Sequence, residues 1–252
     1  MADGEAIPTA DGSSPALARA LMEEADGAGL PLRLLGGTAV WVRCPSARRS
    51  PLARSYGDID LASRAKARAR ITGFLEAHGY VPDKLFNALH GATRLIFAEE
   101  ATGTPLDVIL DEFTMCHTID LRDRLELEPL TIPLADLLLT KLQIVQLNEK
   151  DELDILAILL DHAPGDALDL GRLVALTGAD WGLDHTVRRT LATIRGSATG
   201  VGLPAELAAT IQTNVDALLA AMETAPKTVR WRARARVGER VRWYDLPEEP
   251  HR

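Results

Sequence analysis

Residues 36–39 read Gly-Gly-Thr-Ala, and residues 57–61 read Gly-Asp-Ile-Asp-Leu. The first stretch follows the apolar run 32–35, which predicts a strand that leads directly into a glycine turn and a helix. The second stretch is predicted to be a strand as well. Side chains two positions apart in a strand point to the same face, so we expect Asp58 and Asp60 to converge.

A third acid, Asp107, lies inside the apolar run 105–110. Carboxylates on one face repel one another unless a cation lies between them. Mg²⁺ prefers oxygen ligands and is commonly shared with substrate phosphates. We therefore expect Asp58, Asp60 and Asp107 to be the catalytic residues and the ligands of a pair of Mg²⁺ ions, with Mn²⁺ as the alternative metal.

The glycine turn supplies the complementary half of such a site. At a helix start, Gly36 and Gly37 offer backbone N–H groups to anionic oxygens, and Thr38 adds a hydroxyl donor. A strand, two glycines and a helix also occur where elements merely pack closely. Because the turn and the acids follow one another in this order on predicted strands, the pattern favours binding of a nucleoside triphosphate such as ATP.

These motifs carry a resemblance to a known group of enzymes. Four features in chain order resemble the DNA polymerase β-type nucleotidyltransferase superfamily: Gly36-Gly37-Thr38, Arg54, Asp58-Ile59-Asp60 and Asp107. Segments 136–142 and 150–155 are similar to its abortive-infection (AbiEii-like) branch, the toxins of bacterial toxin–antitoxin pairs. The resemblance implies a magnesium-dependent enzyme that transfers NMP from NTP to an acceptor and releases pyrophosphate. It also implies an antitoxin protein as a partner.

The resemblance places further residues at the nucleotide. It implies that Arg54, Lys141 and Asp154 bind the nucleotide, with Asp151 as the alternative to Asp154. From the residues alone, Lys141 is either a point charge for phosphate or a lysine that reaches solvent from the helix edge. Asp151 could equally cap a helix, and Arg54 could equally be a solvated loop residue. Arg94 lies between apolar neighbours in a predicted strand, where it could pair with the acids.

The acceptor is left open by the sequence. The 3′ end of tRNA, a protein side-chain hydroxyl and a hydroxylated small molecule all fit the superfamily. A formal net charge of −8 suits a protein or a small molecule, since nucleic-acid backbones attract cationic surfaces. The alternative function is a non-catalytic member of the same fold that binds a nucleotide or a partner protein.

The C-terminal segment 227–242 is basic, with seven basic residues and one acid. Its arginines alternate with apolar residues, which predicts a strand with one basic face and a hairpin turn at Gly238. Such a face could follow an RNA backbone, with Trp231 or Trp243 stacked on a base. It could also be the solvated edge of a hairpin, where charges prevent aggregation.

The composition is that of a soluble globular protein, because 46% of the 252 residues are hydrophobic and 25% are charged. The two cysteines form no disulfide or metal-binding pattern, and no apolar run approaches the length of a membrane span. The first residues lack the apolar core of a signal peptide. We expect a cytoplasmic protein without a membrane partner.

We predict an α/β (α+β) protein with a mixed sheet, flanking helices, a helical lobe and a basic tail. The helices are predicted from the 3.6-residue spacing of apolar positions, and residues 85–89 are predicted to be one of the strands. The predicted domains are a loose leader (1–13), a nucleotidyltransferase-type α/β domain (14–130), a helical lobe (131–225) and the tail hairpin (226–252).

Overall fold

The computed structural model describes residues 15–246. The predicted leader lies outside the described residues, and so does the end of the predicted tail. The described chain divides into two compact units, each discontinuous in sequence: residues 15–113 with Ile119–Pro133, and Thr114–Thr118 with residues 134–246. The predicted domain boundaries stay a prediction.

The first unit contains a mixed sheet and its helices. The helices are α1 (Pro15–Gly27), α2 (Gly36–Arg43), α3 (Arg68–Ala77) and α4 (Lys84–His90). The strands of its main sheet are β1 (Arg33–Leu35), β2 (Ile59–Ser63), β3 (Tyr80–Pro82), β4 (Arg94–Glu99) and β5 (Pro105–Leu110). Their order is β1-β2-β5-β4-β3, with β2 and β5 parallel and the other neighbours antiparallel. This confirms the predicted mixed α/β architecture.

Two short strands lie outside the main sheet. They are β6 (Glu112–Thr114) and β7 (Thr118–Asp120), which pair with each other in a two-stranded sheet. Their three-residue lengths gave no detectable alternation of apolar and polar residues, so the sequence did not predict them.

The two faces of the main sheet differ in burial. Residues along β5 alternate between buried and half-buried, as expected of a sheet that is fully enclosed on one side only. The enclosed side is apolar, and its members are each at most 2% exposed: Leu61, Leu95, Phe97, Leu106 and Val108. Burying side chains of this size stabilises a fold by about 1.5–3 kcal/mol each. The other side carries the predicted acids, so the core and the site use different positions of the same strands.

Residues 85–89 belong to α4, so the strand predicted there is wrong. Asp83 caps the helix, because its carboxylate accepts a hydrogen bond from the backbone N–H of Phe86. The amide of Asn87 exchanges two hydrogen bonds with the backbone of Ile96, at 3.0 and 2.7 Å. A side chain of the helix thereby satisfies backbone groups that a strand would otherwise pair with.

The second unit is helical, as predicted for the lobe. Its helices are α5 (Leu134–Leu142), α6 (Glu149–Asp161), α7 (Leu170–Ala179), α8 (Trp181–Ser197), α9 (Ala205–Thr224) and α10 (Val229–Val237). Asn148, Asp169 and Asp180 accept hydrogen bonds from backbone N–H groups at the starts of α6, α7 and α8. A cap of this kind contributes about 1 kcal/mol. Across residues 15–246, no helix has both the length and the hydropathy that crossing a membrane requires.

The arginine-rich segment forms α10, so the predicted basic strand and hairpin are wrong. Thr228 caps this helix by accepting a hydrogen bond from the backbone N–H of Trp231. Gly238 ends it with a positive φ of 59°. Alanine and arginine both have high helix propensity, whereas neither is enriched in strands. The period of two was therefore a pattern of charge and not of strand-forming residues.

Candidate functional site

The Gly36–Gly37 turn is shaped by two polar side chains that approach its backbone. Gly36 has a positive φ of 66°, a conformation that residues with a side chain rarely adopt. A Cβ placed on Gly36 would lie 2.2 Å from Oδ2 of Asp60. A Cβ placed on Gly37 would lie 2.0 Å from Nη2 of Arg54. The two glycines therefore let a carboxylate and a guanidinium reach the start of α2.

Asp60 and Asp107 are register partners on the parallel strands β2 and β5. Partners in register point to the same face of a sheet, so both carboxylates lie on its half-exposed side. Leu35, which directly precedes the glycine turn, is the partner of Asp60 on β1. The structure therefore brings two of the three predicted acids together beside the turn. Asp58 precedes β2 and is exposed.

Arg94 pairs with Asp107, one of the acids that the sequence interpretation named as its potential partners. Its Nη2 donates to Oδ2 of Asp107 across β4 and β5, at 2.5 Å. The side chains of Arg94 and Asp107 are 33% and 16% exposed. The guanidinium also lies 6.0 Å from the centre of the Phe86 ring on α4. One of the two adjacent carboxylates is thus already opposite a positive charge.

The carboxylates beside the glycine turn are candidate ligands for a divalent ion. Among residues 15–246, no group of three His, Cys, Asp or Glu side chains is arranged to hold a metal. Asp58 directly precedes the strand that carries Asp60, and its membership of a three-acid set with Asp60 and Asp107 stays a prediction. Two adjacent carboxylates still fit Mg²⁺, because that ion is usually held by one or two carboxylates plus substrate phosphates and water. Metal binding stays a prediction.

Arg54 is held at the glycine turn by its own neighbours. Its Cζ lies 4.3 Å from the centre of the Tyr56 ring. Its Nη1 donates to the carbonyl of Ser55 at 3.0 Å. Stacking on a ring orients a guanidinium. The sequence interpretation missed Tyr56, although an aromatic residue two positions after an arginine was a readable signal.

The Thr38 hydroxyl is hydrogen-bonded to the backbone beside the glycine turn. The residue is 2% exposed, and its hydroxyl donates to the carbonyl of Leu35 at 3.4 Å. This back-bond satisfies a carbonyl at the start of α2. A contact between the Thr38 hydroxyl and phosphate stays a prediction and would require this bond to be given up.

Lys141 and Asp154 come together inside the second unit. Lys141 Nζ donates to Oδ1 of Asp151 at 2.6 Å and lies 2.9 Å from Oδ2 of Asp154. The side chains of Lys141 and Asp154 are only 12% and 2% exposed, so the interpretation of Lys141 as a solvent-reaching lysine is wrong. The Asp151 carboxylate also accepts a hydrogen bond from the side-chain amide of Asn148. In return, the backbone N–H of Asp151 donates to Oδ1 of Asn148, so Asp151 is also part of the helix cap. Phosphate binding by Lys141 and Asp154 stays a prediction.

The ion-pair cluster of Lys141, Asp151 and Asp154 keeps its lysine charged. Burial lowers the pKa of Lys141, but the nearby carboxylates of Asp154 and Asp151 outweigh it and raise the pKa above the ordinary value of 10.5. The folded protein therefore holds this lysine protonated across the physiological range.

Comparisons with known proteins give little that is close. No protein-family model matches the chain, and no curated protein sequence matches it significantly. Among solved structures, the chain is similar to an antigenic nucleotidyltransferase-like protein from Paracoccidioides brasiliensis. The TM-score is 0.42 with 14% identity, over 86% of this chain and 94% of that one. A likeness of this size carries no conclusion about activity, which has to come from the residues themselves.

Proposed function

We propose that this protein is a magnesium-dependent nucleotidyltransferase that moves a nucleoside monophosphate from NTP to an acceptor hydroxyl. The observation that carries the proposal is the register pairing of Asp60 with Asp107 beside the Gly36–Gly37 turn. A triphosphate with its divalent ion requires paired carboxylates, helix-start N–H groups and a cation in one place. Arg54 provides that cation at the turn.

In the proposed reaction, the oxygen of the acceptor hydroxyl bonds to the α-phosphorus of NTP. The bond from that phosphorus to the bridging oxygen breaks, pyrophosphate leaves, and the hydroxyl proton passes to solvent. The backbone N–H groups of the turn and the guanidinium of Arg54 would bind the triphosphate oxygens. Asp60 and Asp107 would hold Mg²⁺, which supplies neutralisation of the phosphate charge when bound.

The test is a labelling experiment with all acceptor classes present. Purified protein is incubated with each α-labelled NTP, Mg²⁺, total cellular RNA and a cell extract. The Asp58→Ala/Asp60→Ala double variant removes two of the three predicted acids, and Glu112→Gln removes an exposed carboxylate of β6 as the matched control. Label in one macromolecular band, retained by the control and lost by the double variant, supports the proposal and identifies the acceptor class. Absence of label together with absence of any NTP-dependent thermal shift contradicts it.

A toxin role is the finer part of the proposal and rests on the resemblance to the abortive-infection branch. Such an enzyme would arrest the growth of its host, and an antitoxin protein would neutralise it. The measurement is growth after induced expression of the wild-type chain and of Asp60→Asn. Arrest by the wild type alone supports a toxin, whereas normal growth with both, at equal protein levels and with transfer activity in vitro, contradicts it.

A second candidate function is a non-catalytic nucleotide-binding or partner-binding protein. The ion pair of Arg94 with Asp107 favours it, because an arginine already compensates one of the two acids. The two functions differ in turnover. A melting temperature raised by NTP without formation of pyrophosphate supports the non-catalytic protein, and release of pyrophosphate excludes it.

A further inference from the structure

A cavity of about 960 Å³ lies wholly within the second unit. Its walls come from α7, α8 and α10, from residues 116–118 and from the segment 242–245 that follows α10. Small-molecule and cofactor sites commonly have volumes of about 300–1,000 Å³. The cavity is therefore large enough for a nucleotide-sized ligand.

Helix α10 divides its arginines between two faces. The face toward the cavity is formed by residues three and four apart: Arg230, Ala233, Arg234 and Val237. Arg232 and Arg236 lie two positions from Arg234, which places them on the opposite side of the helix, and both are exposed. Two of the four arginines of α10 therefore face the cavity.

The three arginines that line the cavity differ in the contacts that they make. Arg234 donates to the carbonyls of Gly238 and Val241, each at 2.6 Å, and lies 4.7 Å from the Trp181 ring centre. It fixes the end of α10. Arg230 and Arg242 are exposed and make no ion pair or side-chain hydrogen bond with any residue in the range 15–246. Neither guanidinium has a carboxylate partner among these residues, and that of Arg242 lies over the Tyr244 ring, so both are positions at which an anion could bind.

Aromatic rings lie beside these cations. The indole N–H of Trp243 donates to Thr186 Oγ1 at 3.1 Å, and its ring meets Tyr244 edge-on at a centroid distance of 5.2 Å. Both rings are half-buried, and Arg242 lies 5.0 Å from the centre of the Tyr244 ring. The Trp243 ring also meets Trp181 and His185 edge-on and lies 5.8 Å from Arg189 Cζ. The exposed parts of Trp243 and Tyr244 are where a nucleic-acid base could stack.

Two carboxylates complete the lining and distinguish between anionic ligands. Asp180 caps α8 by accepting from the backbone N–H of Leu183, whereas the carboxylate of Asp245 makes no hydrogen bond within the described chain. A free carboxylate can accept hydrogen bonds from the amino groups of a base. An acidic peptide without aromatic residues has no planar ring for Tyr244 and Trp243 to stack on, whereas a nucleotide has one. The lining therefore favours a ligand that combines an aromatic base with phosphate.

We propose that this cavity binds a nucleoside phosphate, with its base against Tyr244 and Trp243 and its phosphate at Arg230 and Arg242. The ligand is either a free nucleotide or one nucleotide of a single-stranded RNA. The site belongs to the second unit and uses none of the glycine-turn or acid residues. The proposal does not rest on the proposed transferase activity.

The test uses the full chain with EDTA present, so that metal-dependent binding elsewhere does not contribute. The probe is a fluorescein-labelled single-stranded RNA of about ten nucleotides, a length within the usual site sizes, followed by fluorescence anisotropy. Unlabelled AMP, ATP and the duplex of the same sequence are the competitors. Asp60→Asn is measured in parallel and is expected to bind like the wild type.

The variants are matched in charge. Arg230→Gln/Arg242→Gln removes the two cavity cations, and Arg232→Gln/Arg236→Gln removes two cations from the other side of α10. We expect the first pair to weaken binding at least about tenfold and the second about twofold or less. The slope of log affinity against log salt should fall by about 1.4 in the first pair only. Tyr244→Leu keeps an apolar side chain, removes the ring and should also weaken binding about tenfold.

The competitors identify the source of the nucleotide. Displacement by AMP or ATP at the same nucleotide concentration as the RNA supports a free nucleotide, and RNA binding at least about tenfold tighter supports a strand. Equal weakening by both arginine pairs would show unspecific charge attraction and overturn the proposal. So would the absence of saturable binding by the wild type, or loss of binding in Asp60→Asn with none in the Arg230/Arg242 pair.

Discussion

Asp107 faces two partners at once: Arg94 Nη2 lies 2.5 Å from its Oδ2, and Asp60 is its register partner on the neighbouring parallel strand. An arginine and a divalent ion compete for the same carboxylate oxygens. Binding of a metal at the two acids therefore requires Arg94 to release Asp107 or to share it. The strength of the ion pair can therefore be measured through its effect on metal affinity.

Replacing Arg94 by leucine should strengthen metal binding by the free protein. The pair is partly exposed, and such ion pairs are worth up to about 1 kcal/mol, so affinity should rise up to about fivefold. The measurement is an Mn²⁺ titration followed by electron paramagnetic resonance. Arg122→Leu is the control, because Arg122 pairs with the exposed acids Asp120 and Glu112. Unchanged affinity in Arg94→Leu would mean that the ion does not use Asp107.

Asp60→Asn should remove activity without unfolding the protein. Asparagine has the same shape but no negative charge, so the side chain still fits against Gly36. Transfer should fall at least about a hundredfold, the scale of losing one group that stabilises transition-state charge. The melting temperature should move by no more than about 4 °C, which corresponds to about 1 kcal/mol in a protein of this size. Insolubility of the variant would instead assign Asp60 to the fold.

Alanine at the two glycines of the turn should have different effects. Gly36→Ala forces a side chain into a positive φ and against the short Asp60 side chain, at a cost of about 1–3 kcal/mol from the backbone conformation alone. Gly37→Ala meets the end of the longer and more flexible Arg54 side chain. It should therefore reduce NTP affinity more than stability.

Thermal unfolding and nucleotide titration of both alanine variants separate these effects. Gly73→Ala is the control, because Gly73 lies in α3 with nothing within 4 Å of an added Cβ. It should stabilise the protein by about 0.5–1 kcal/mol. Equal destabilisation by Gly36→Ala and Gly37→Ala would contradict the described contacts.

Lys141→Met should strongly destabilise the second unit. It leaves the carboxylates of Asp151 and Asp154 buried without their cation, and breaking a buried pair costs about 3–5 kcal/mol. Adding Asp151→Asn and Asp154→Asn should recover much of that loss. Chemical denaturation measures each step. The exposed Lys150→Met is the matched control and should change stability by about 0.5 kcal/mol or less.

His117 should make the protein less stable in mild acid. Burial lowers its pKa from the ordinary 6.5, although Asp180 and Asp245 act in the opposite direction. Between the two pKa values, His117 is protonated in the unfolded chain and neutral in the folded chain. The free energy of unfolding therefore decreases as pH falls from about 6.5 toward the lower pKa of the folded state. The loss should not exceed about 1.4 kcal/mol per pH unit. In His117→Gln, unfolding free energy between about pH 7 and pH 5 should depend less on pH.

His78 should contribute with the opposite sign. A hydrogen bond to the backbone of Phe74 and another to Glu24 raise its pKa above 6.5. Its stabilisation is complete below 6.5 and is lost as pH rises through the folded pKa. In His78→Gln, the free energy of unfolding should therefore decrease less than in the wild type as pH rises above 6.5. A shallower acid limb in His78→Gln, or a steeper one in His117→Gln, would contradict these assignments.

The glycine turn and the Asp60 strand could be predicted because each lies within a few residues of sequence and has a local backbone requirement. The pairing of Asp60 with Asp107 could be expected, but its register could not. The register depends on β2, which ends at Ser63, and β5, which begins at Pro105, becoming neighbours across the 41 residues between them. The buried partners of Lys141 were named in the sequence as nucleotide-binding residues. Their contact with the lysine depends on how α5 packs on α6, which helical spacing alone does not give.

The two wrong strands had a common physical origin. For the segments of α4 and α10, the strand predictions took no account of the cap that precedes each helix. Asp83 and Thr228 each accept a hydrogen bond at a helix start and fix the backbone locally. Once α10 is a helix, Arg230 and Arg234 separate from Arg232 and Arg236, which a strand would have kept on one face. The cavity of the second unit could therefore not be anticipated from the sequence.

Because β5 is buried on one side only, the residues that pack the core and the residues that carry the proposed chemistry are different ones. Every second residue of the strand is enclosed, and those between are not. A codon change at position 60 or 107 alters charge and leaves the packing of Leu106 and Val108 untouched. The chemistry proposed for this side of the sheet could therefore be lost through one substitution while the core on the other side keeps its packing.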